Sequence, residues 1–204
     1  MRISESHLRK IVRKEIRKSL ISEAMTKAGE LKKEDGWRVE ISYLDRPGFI
    51  VRIKKNDETY GEISTKKTKS KCLNALYVYT VESSKRGLGP LLYDIAIELA
   101  TEQGKSLTAS RESVSMDALS VWEKYADSRS GEFDVGQLDS DPGILTPEDP
   151  TDDCDYPKMV SMRKSPALSK DYLVSDPLSK TYSSRGTPTL KTLRDAGILV
   201  DLRK

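Results

Sequence analysis

Histidine and cysteine are almost missing from this chain of 204 residues: His7 stands alone, and Cys72 and Cys154 are the two thiols. A zinc site needs several such ligands at short spacing, and a Ser/His/Asp or Cys/His triad needs a histidine base. Composition argues against both. Two cysteines without metal-ligand spacing point to reduced thiols in a cytosolic setting. No apolar run approaches membrane-spanning length, and the N-terminus lacks the apolar core of a secretory signal. Internal repeats are absent.

Charge, by contrast, is plentiful. Charged residues make up 33% of the chain and hydrophobic ones 36%, at a length that allows one core plus appendages. The formal charge of +3 conceals an asymmetry. Residues 1–23 carry seven basic side chains against three acidic ones, so residues 24–204 have a net charge of −1. Leu8, Ile11, Val12, Ile16 and Leu20 recur at helical spacing in that leader. It reads as a basic amphipathic helix that could dock on a partner, a membrane surface or nucleic acid.

Residues 24–36 are polar and read as a linker. Trp37–Tyr43 alternates apolar and polar, as a half-buried strand does. Asp45–Gly48 is a turn, Phe49–Lys54 a strand, Asn56-Asp57 a turn and Thr59–Ser64 a strand. This antiparallel meander leads through a basic loop (Lys66, Lys67, Lys69, Lys71) into a fourth strand, Asn74–Val81. Small polar residues and Gly87 and Gly89 then break the chain. A helix follows, with Pro90 in its first turn, one apolar face (Leu91, Leu92, Ile95, Ala96, Leu99) and Gly104 as a left-handed C-cap. Strand, glycine turn and helix start together aim backbone N–H groups and a positive dipole end at one point. Such a turn either holds phosphate or serves close helix–sheet packing. The glycine spacing is neither G-x-x-x-x-G-K-[ST] nor G-x-G-x-x-G.

Downstream, Ser106–Ser110 reads as a short strand and Ser113–Tyr125 as a helix with Trp122 and Tyr125 on one side. Residues 130–157 hold nine carboxylates and no lysine or arginine, without EF-hand spacing, and read as an acidic loop. Lys158–Arg163 could return as a strand, and Tyr172–Tyr182 is weakly extended. Thr187-Pro188 is an N-cap/N1 pair for a last helix with Leu190 and Leu193 inward and Gly197 as its stop.

The turn Ser84-Lys85-Arg86-Gly87-Leu88-Gly89 resembles the pyrophosphate signature [RQ]-x-x-G-x-[GA] of the GNAT acetyltransferases, which lies between their fourth strand and third helix. Ser84 departs from that pattern. The segment around Ser115–Trp122 is similar to the family's N-x-x-A-x-x-L-Y, with Trp122 where the family has the tyrosine that protonates the leaving thiolate. The resemblance covers residues 37–128. It implies an α+β fold: a mixed, mostly antiparallel sheet of about six strands with helices on both faces. The N-terminal helix, the 129–157 loop and a 158–204 extension lie outside it. The resemblance implies an acetyl-CoA-dependent N-acetyltransferase acting on an amine. Val81, Ser84, Lys85, Arg86, Gly87, Leu88 and Gly89 would hold the cofactor, Glu82 would be the base, Tyr79 a relay and Tyr125, one turn past Trp122, the acid.

The string Arg111 to Tyr125 also resembles GNAT-like proteins of large tailed bacteriophages, and the leader resembles short N-terminal sequences on unrelated proteins of such phages. Ile21-Ser22-Glu23 resembles a prohead-protease site, [LI]-x-E. That implies capsid or other virion partners through residues 1–23, in the virion or host cytoplasm, with nucleic acid the least favoured partner. The alternative is a catalytically inactive GNAT-fold virion or binding protein.

Overall fold

Trp37, Val39 and Ile41 on β1 (Trp37–Tyr43) and Phe49, Val51 and Ile53 on β2 (Phe49–Lys55) are all buried, while the residues between them are half-exposed. Period-two alternation pairs the two strands antiparallel, with Val39 opposite Ile53 and Ile41 opposite Val51. Asn56 and Asp57 both take positive φ, +48° and +72°, which a tight two-residue hairpin demands. That hairpin leads into β3 (Glu58–Lys67), which pairs antiparallel with β4 (Ala75–Ser83). In this computed structural model residues 24, 26–68, 74–110, 114–127, 132–138, 146, 149 and 177–202 are described. The leader, both cysteines, most of the acidic segment and the 158–163 strand lie outside them.

One sheet of eight strands runs through the molecule in the order β6-β7-β5-β4-β3-β2-β1-β8. Strand β5 (Ser106–Thr108) lies parallel to β4, and β8 (Leu199–Asp201) lies parallel to β1; the other pairings are antiparallel. The architecture is α+β with a mostly antiparallel mixed sheet. Three of the eight strands, β6, β7 and β8, come from beyond residue 130 and are not among the expected strands, although β7 overlaps the weakly extended Tyr172–Tyr182. Phe133–Gln137 forms β6 inside the segment read as an acidic loop, and Lys180–Ser184 forms β7, which slots between β5 and β6.

Helix α1 (Leu88–Glu102) lies over the sheet, against β2 to β5 and β7. Its sequence suggests one apolar face, yet every residue from Leu91 to Ala100 is buried. The reason is that α1 is enclosed by neighbours. Helix α2 (Met116–Ala126) meets it through the edge-on rings of Tyr93 and Trp122, 5.1 Å apart. Helix α3 (Pro188–Asp195) meets it through Glu98. The expectation of helices on both faces is therefore not met among the described residues. The labelled helices adjoin one another, and the opposite face of β1–β3 carries ion pairs: Lys54–Glu40 at 2.8 Å and Arg52–Glu62 at 2.6 Å.

Residues 24–36 are not a loose linker. Residues 26–30 are helical, and Ala24, Ala28 and Leu31 are buried, the last two within the main core. Three small or apolar side chains among polar ones are enough to dock a short helix, although they are too few to show a period. Leu31→Ala should cost about 2–4 kcal/mol in a chemical denaturation experiment, the usual range for a core leucine. A loss under about 0.5 kcal/mol, typical of exposed positions, would mean the segment does not dock.

Candidate functional site

Strand β4 is the irregular member of the sheet. Ser64 of β3 faces Thr80, but the next residue, Thr65, faces Val78, so Tyr79 is an extra residue: a β-bulge. On its other side β4 pairs with β5 through Ala75, Leu76 and Tyr77 alone. Beyond Tyr77 the two strands part. The gap is a cleft of about 220 Å³, walled by Tyr79, Val81 and Glu82 of β4, Tyr93 of α1, and Ser115 and Trp122 of α2. A second, larger hollow of about 680 Å³ lies at the ends of β3 and β4. Thr80 and Glu82 line both concavities, which makes them neighbours.

The turn after β4 leads into α1. Gly87 has φ +83°, a left-handed conformation that glycine adopts without strain. Helix α1 starts with no side-chain cap and no acidic residue in its first turn. Among the described residues, neither its cap nor its first turn supplies a side chain that opposes the positive dipole end. At Gly89 an added Cβ would meet only Ser83 Oγ, at an ordinary 3.6 Å. Packing does not explain a glycine there. Gly61 is different: a Cβ would come within 3.1 Å of Leu92 Cδ1, so it lets α1 approach β3 closely.

The expected binding residues divide. Ser84 donates both its N–H (2.9 Å) and its hydroxyl (3.2 Å) to Tyr60 O, bracing the turn to β3. Leu88 is fully buried and its N–H bonds Lys85 O at 3.3 Å. The Lys85 ammonium lies 5.1 Å from the centre of the Trp37 ring, a cation–π contact. Gly87 and Gly89 carry the open end of the turn with Arg86, and Val81 sits in the cleft wall.

The expected catalytic residues divide as well. Glu82 is exposed at the cleft lip. Tyr79 is exposed in the bulge, with the Lys66 ammonium over its ring. Tyr125 is elsewhere: it is 1% exposed and its hydroxyl donates to Asp94 Oδ1 on α1. The sequence placed Tyr125 correctly on the inner face of α2 but could not reveal that α1 offers a carboxylate there. Tyr125→Phe removes this buried bond and should lower stability by about 1–3 kcal/mol. A wild-type denaturation midpoint in that variant would show the bond contributes nothing.

Tyr93 and Ser115 are cleft residues that sequence reasoning missed. Burial pushes the Tyr93 phenol well above its ordinary value. Ser115 caps α2 by accepting from Ala118 N–H at 3.2 Å. Trp122 packs on Tyr93 and on Tyr182, 5.0 Å away. Among the described residues no group of three His, Cys, Asp or Glu could hold a metal ion, and no helix is long and apolar enough to cross a membrane. Comparisons with protein-family models, curated proteins and solved structures found no match.

Proposed function

We propose that the chain is a GNAT-type protein that binds acetyl-CoA between β4 and α2 and transfers the acetyl group to an amine. One observation carries this reading. The bulged β4 separates from β5 and opens a cleft at whose β4 end the turn leads into the uncapped start of α1. The free edge of a strand offers N–H groups to an extended ligand, and an open helix start offers them to phosphate. Gly89, glycine without a packing reason, fits close approach of a phosphate to the backbone.

Acetyl-CoA supplies the activated acetyl thioester. The amides of Arg86, Gly87 and Gly89 would hold the pyrophosphate. An N–H on the edge of β4 around Val81 would polarise the thioester carbonyl, an oxyanion-hole role. Glu82 at the lip takes the proton of the incoming ammonium. The amine nitrogen bonds the acetyl carbon, the carbon–sulfur bond breaks, and the thiolate takes a proton. With Tyr125 committed to Asp94, that proton comes from Tyr79, the exposed phenol of the cleft. The acylated nitrogen sheds its second proton to solvent, Tyr79 regains its own from solvent, and the products are an N-acetyl amine and a free thiol.

A second reading, a catalytically inactive relative that binds or scaffolds, is favoured by two particulars. Trp122, an indole with no acidic proton at neutral pH, occupies the cleft wall, and the Tyr125 hydroxyl is buried. Calorimetric titration with acetyl-CoA tests both readings. Saturable binding together with thiol release in the presence of amines supports the transferase. Binding without thiol release supports the scaffold. No heat at millimolar ligand overturns the cofactor assignment.

A further inference from the structure

Two hydrogen-bond donors in the cleft are buried and unspent. Tyr93 on α1 is 3% exposed and Trp122 on α2 is 1% exposed. Among the described residues the Tyr93 hydroxyl and the Trp122 indole N–H have no hydrogen-bond partner. Neither atom is sealed in: both keep accessible surface, and the cleft is the concavity that both residues line. The polar groups around them are engaged. Tyr125 donates to Asp94, Thr80 Oγ1 lies 2.6 Å from Ser64 Oγ, and Ser115 caps α2. Phenylalanine at position 93 would fill the same space with no polar atom to satisfy, so packing does not account for the hydroxyl.

These donors restrict what the cleft accepts. An indole N–H only donates. Burial holds the Tyr93 phenol in its protonated form, so it meets a ligand as a neutral O–H. No lysine or arginine lines the cleft and Glu82 stands at its lip, which disfavours a carboxylate. An uncharged acceptor, a carbonyl oxygen, fits best.

We propose that the Tyr93 hydroxyl donates to the acyl carbonyl oxygen of the bound thioester, so that Tyr93 distinguishes an acylated carrier from the free thiol and is a catalytic residue of the transfer. The assignment deepens the transferase reading and rests on its cofactor. As the amine nitrogen bonds the acyl carbon, the carbonyl π electrons move onto oxygen and the bond from Tyr93 becomes charge-assisted. When the carbon–sulfur bond breaks, those electrons return and the carbonyl re-forms. The phenol keeps its own proton throughout, so the acid is still Tyr79. A donor that meets charge only in the transition state raises turnover more than affinity. The Trp122 N–H is the cleft's other donor for a ligand carbonyl, a use that needs no acidic proton.

Tyr93→Phe in the full-length chain tests this, with acetyl-CoA and CoA titrated separately by calorimetry. Wild type should prefer acetyl-CoA to CoA by about 3- to 10-fold, the worth of one neutral hydrogen bond. The variant should bind CoA as wild type does, lose that preference, and transfer acetyl about 10²- to 10³-fold more slowly. With heavy carbon at the acetyl carbonyl, the infrared carbonyl stretch should lie lower in the wild-type complex than in the variant's, a shift that a merely structural tyrosine would not cause. The variant breaks no bond in the free protein, so it should melt no lower than wild type. A lower melting temperature would show the hydroxyl bonded within the protein and overturn the proposal. An undiminished preference for acetyl-CoA in the variant also overturns it and leaves the cofactor assignment standing. Equal losses of CoA and acetyl-CoA affinity overturn it too, because the hydroxyl then holds the carrier arm. If the preference depends on Tyr93 but amines release no thiol, the transferase reading fails and Tyr93 stands as an acyl-recognition residue. If wild type binds neither ligand, the cofactor assignment and this proposal fall together.

Discussion

Gly89→Ala is expected to weaken CoA binding about 10- to 100-fold while the protein melts no lower than wild type. Inside the protein the new methyl group meets only Ser83 Oγ at 3.6 Å, a normal contact. Alanine also favours a helix over glycine by about 1 kcal/mol, so the first turn of α1 loses nothing. The methyl group matters only to something outside that must come against the backbone. A hydrogen bond from an amide to a charged group contributes about 1.5–3 kcal/mol, and each 1.4 kcal/mol is tenfold in affinity. Gly87 cannot serve as the same probe. Its φ of +83° makes any side chain strained, so a loss of binding there would mix with a loss of fold. Calorimetry on a Gly89→Ala protein with an unchanged melting curve decides the matter. Undiminished affinity would take the pyrophosphate away from this turn.

Glu98 should give the protein a pH-dependent stability that Glu98→Gln abolishes. The carboxylate is 1% exposed on α1. It accepts from the N–H of Thr189 (2.9 Å) and of Leu190 (2.8 Å) at the start of α3. Burial raises its pKa from 4.5 to about 7, and Asp94 one turn earlier adds to the rise, while the two N–H groups pull it back. A carboxyl group with a raised pKa in the folded state contributes stability that is complete below pH 4.5 and lost as the pH climbs to about 7. At 1.36 kcal/mol per pH unit the loss is about 3 kcal/mol. Urea titrations at pH 5 and pH 8 should therefore differ by about 2.5 kcal/mol in wild type beyond the trend of Glu98→Gln. The glutamine variant, with one acceptor oxygen for two N–H groups, should be the less stable protein at pH 5. Parallel pH profiles for the two proteins would mean that Glu98 titrates normally and is well solvated.

How much of this was legible in the sequence depends on the range of the interaction involved. Trp37–Tyr43, Phe49–Lys54 and the Asn56-Asp57 turn could be read because alternation and turn chemistry are local. Residues 133–137 could not: Asp134 and Gly136 look like loop residues, and the partner strand lies beyond residue 179. Thr187-Pro188 looks self-capping, yet Thr187 makes no side-chain cap bond and Glu98, on another helix, supplies it. Likewise nothing local could show that Asp94 engages Tyr125 or that Glu62 faces Glu82, since both need elements docked in register. The glycine turn and Glu82 were found because a strand, a turn and a helix start are contiguous in sequence. The hollow was not, because it belongs to two strands.

The pairing of β8 with β1 has a consequence for how the chain is made. Val39 is opposite Leu199 and Ile41 opposite Asp201, so residues made far later in synthesis lie against β1. Until they emerge, one flank of β1 is an unpaired edge with its backbone groups exposed, the kind of surface that recruits strands from other chains. Contacts between such distant segments also form slowly. A nascent chain that has not yet reached Leu199, or one cut before it, would carry that open flank, and loss of residues 199–201 should appear as self-association before it appears as a lower melting temperature.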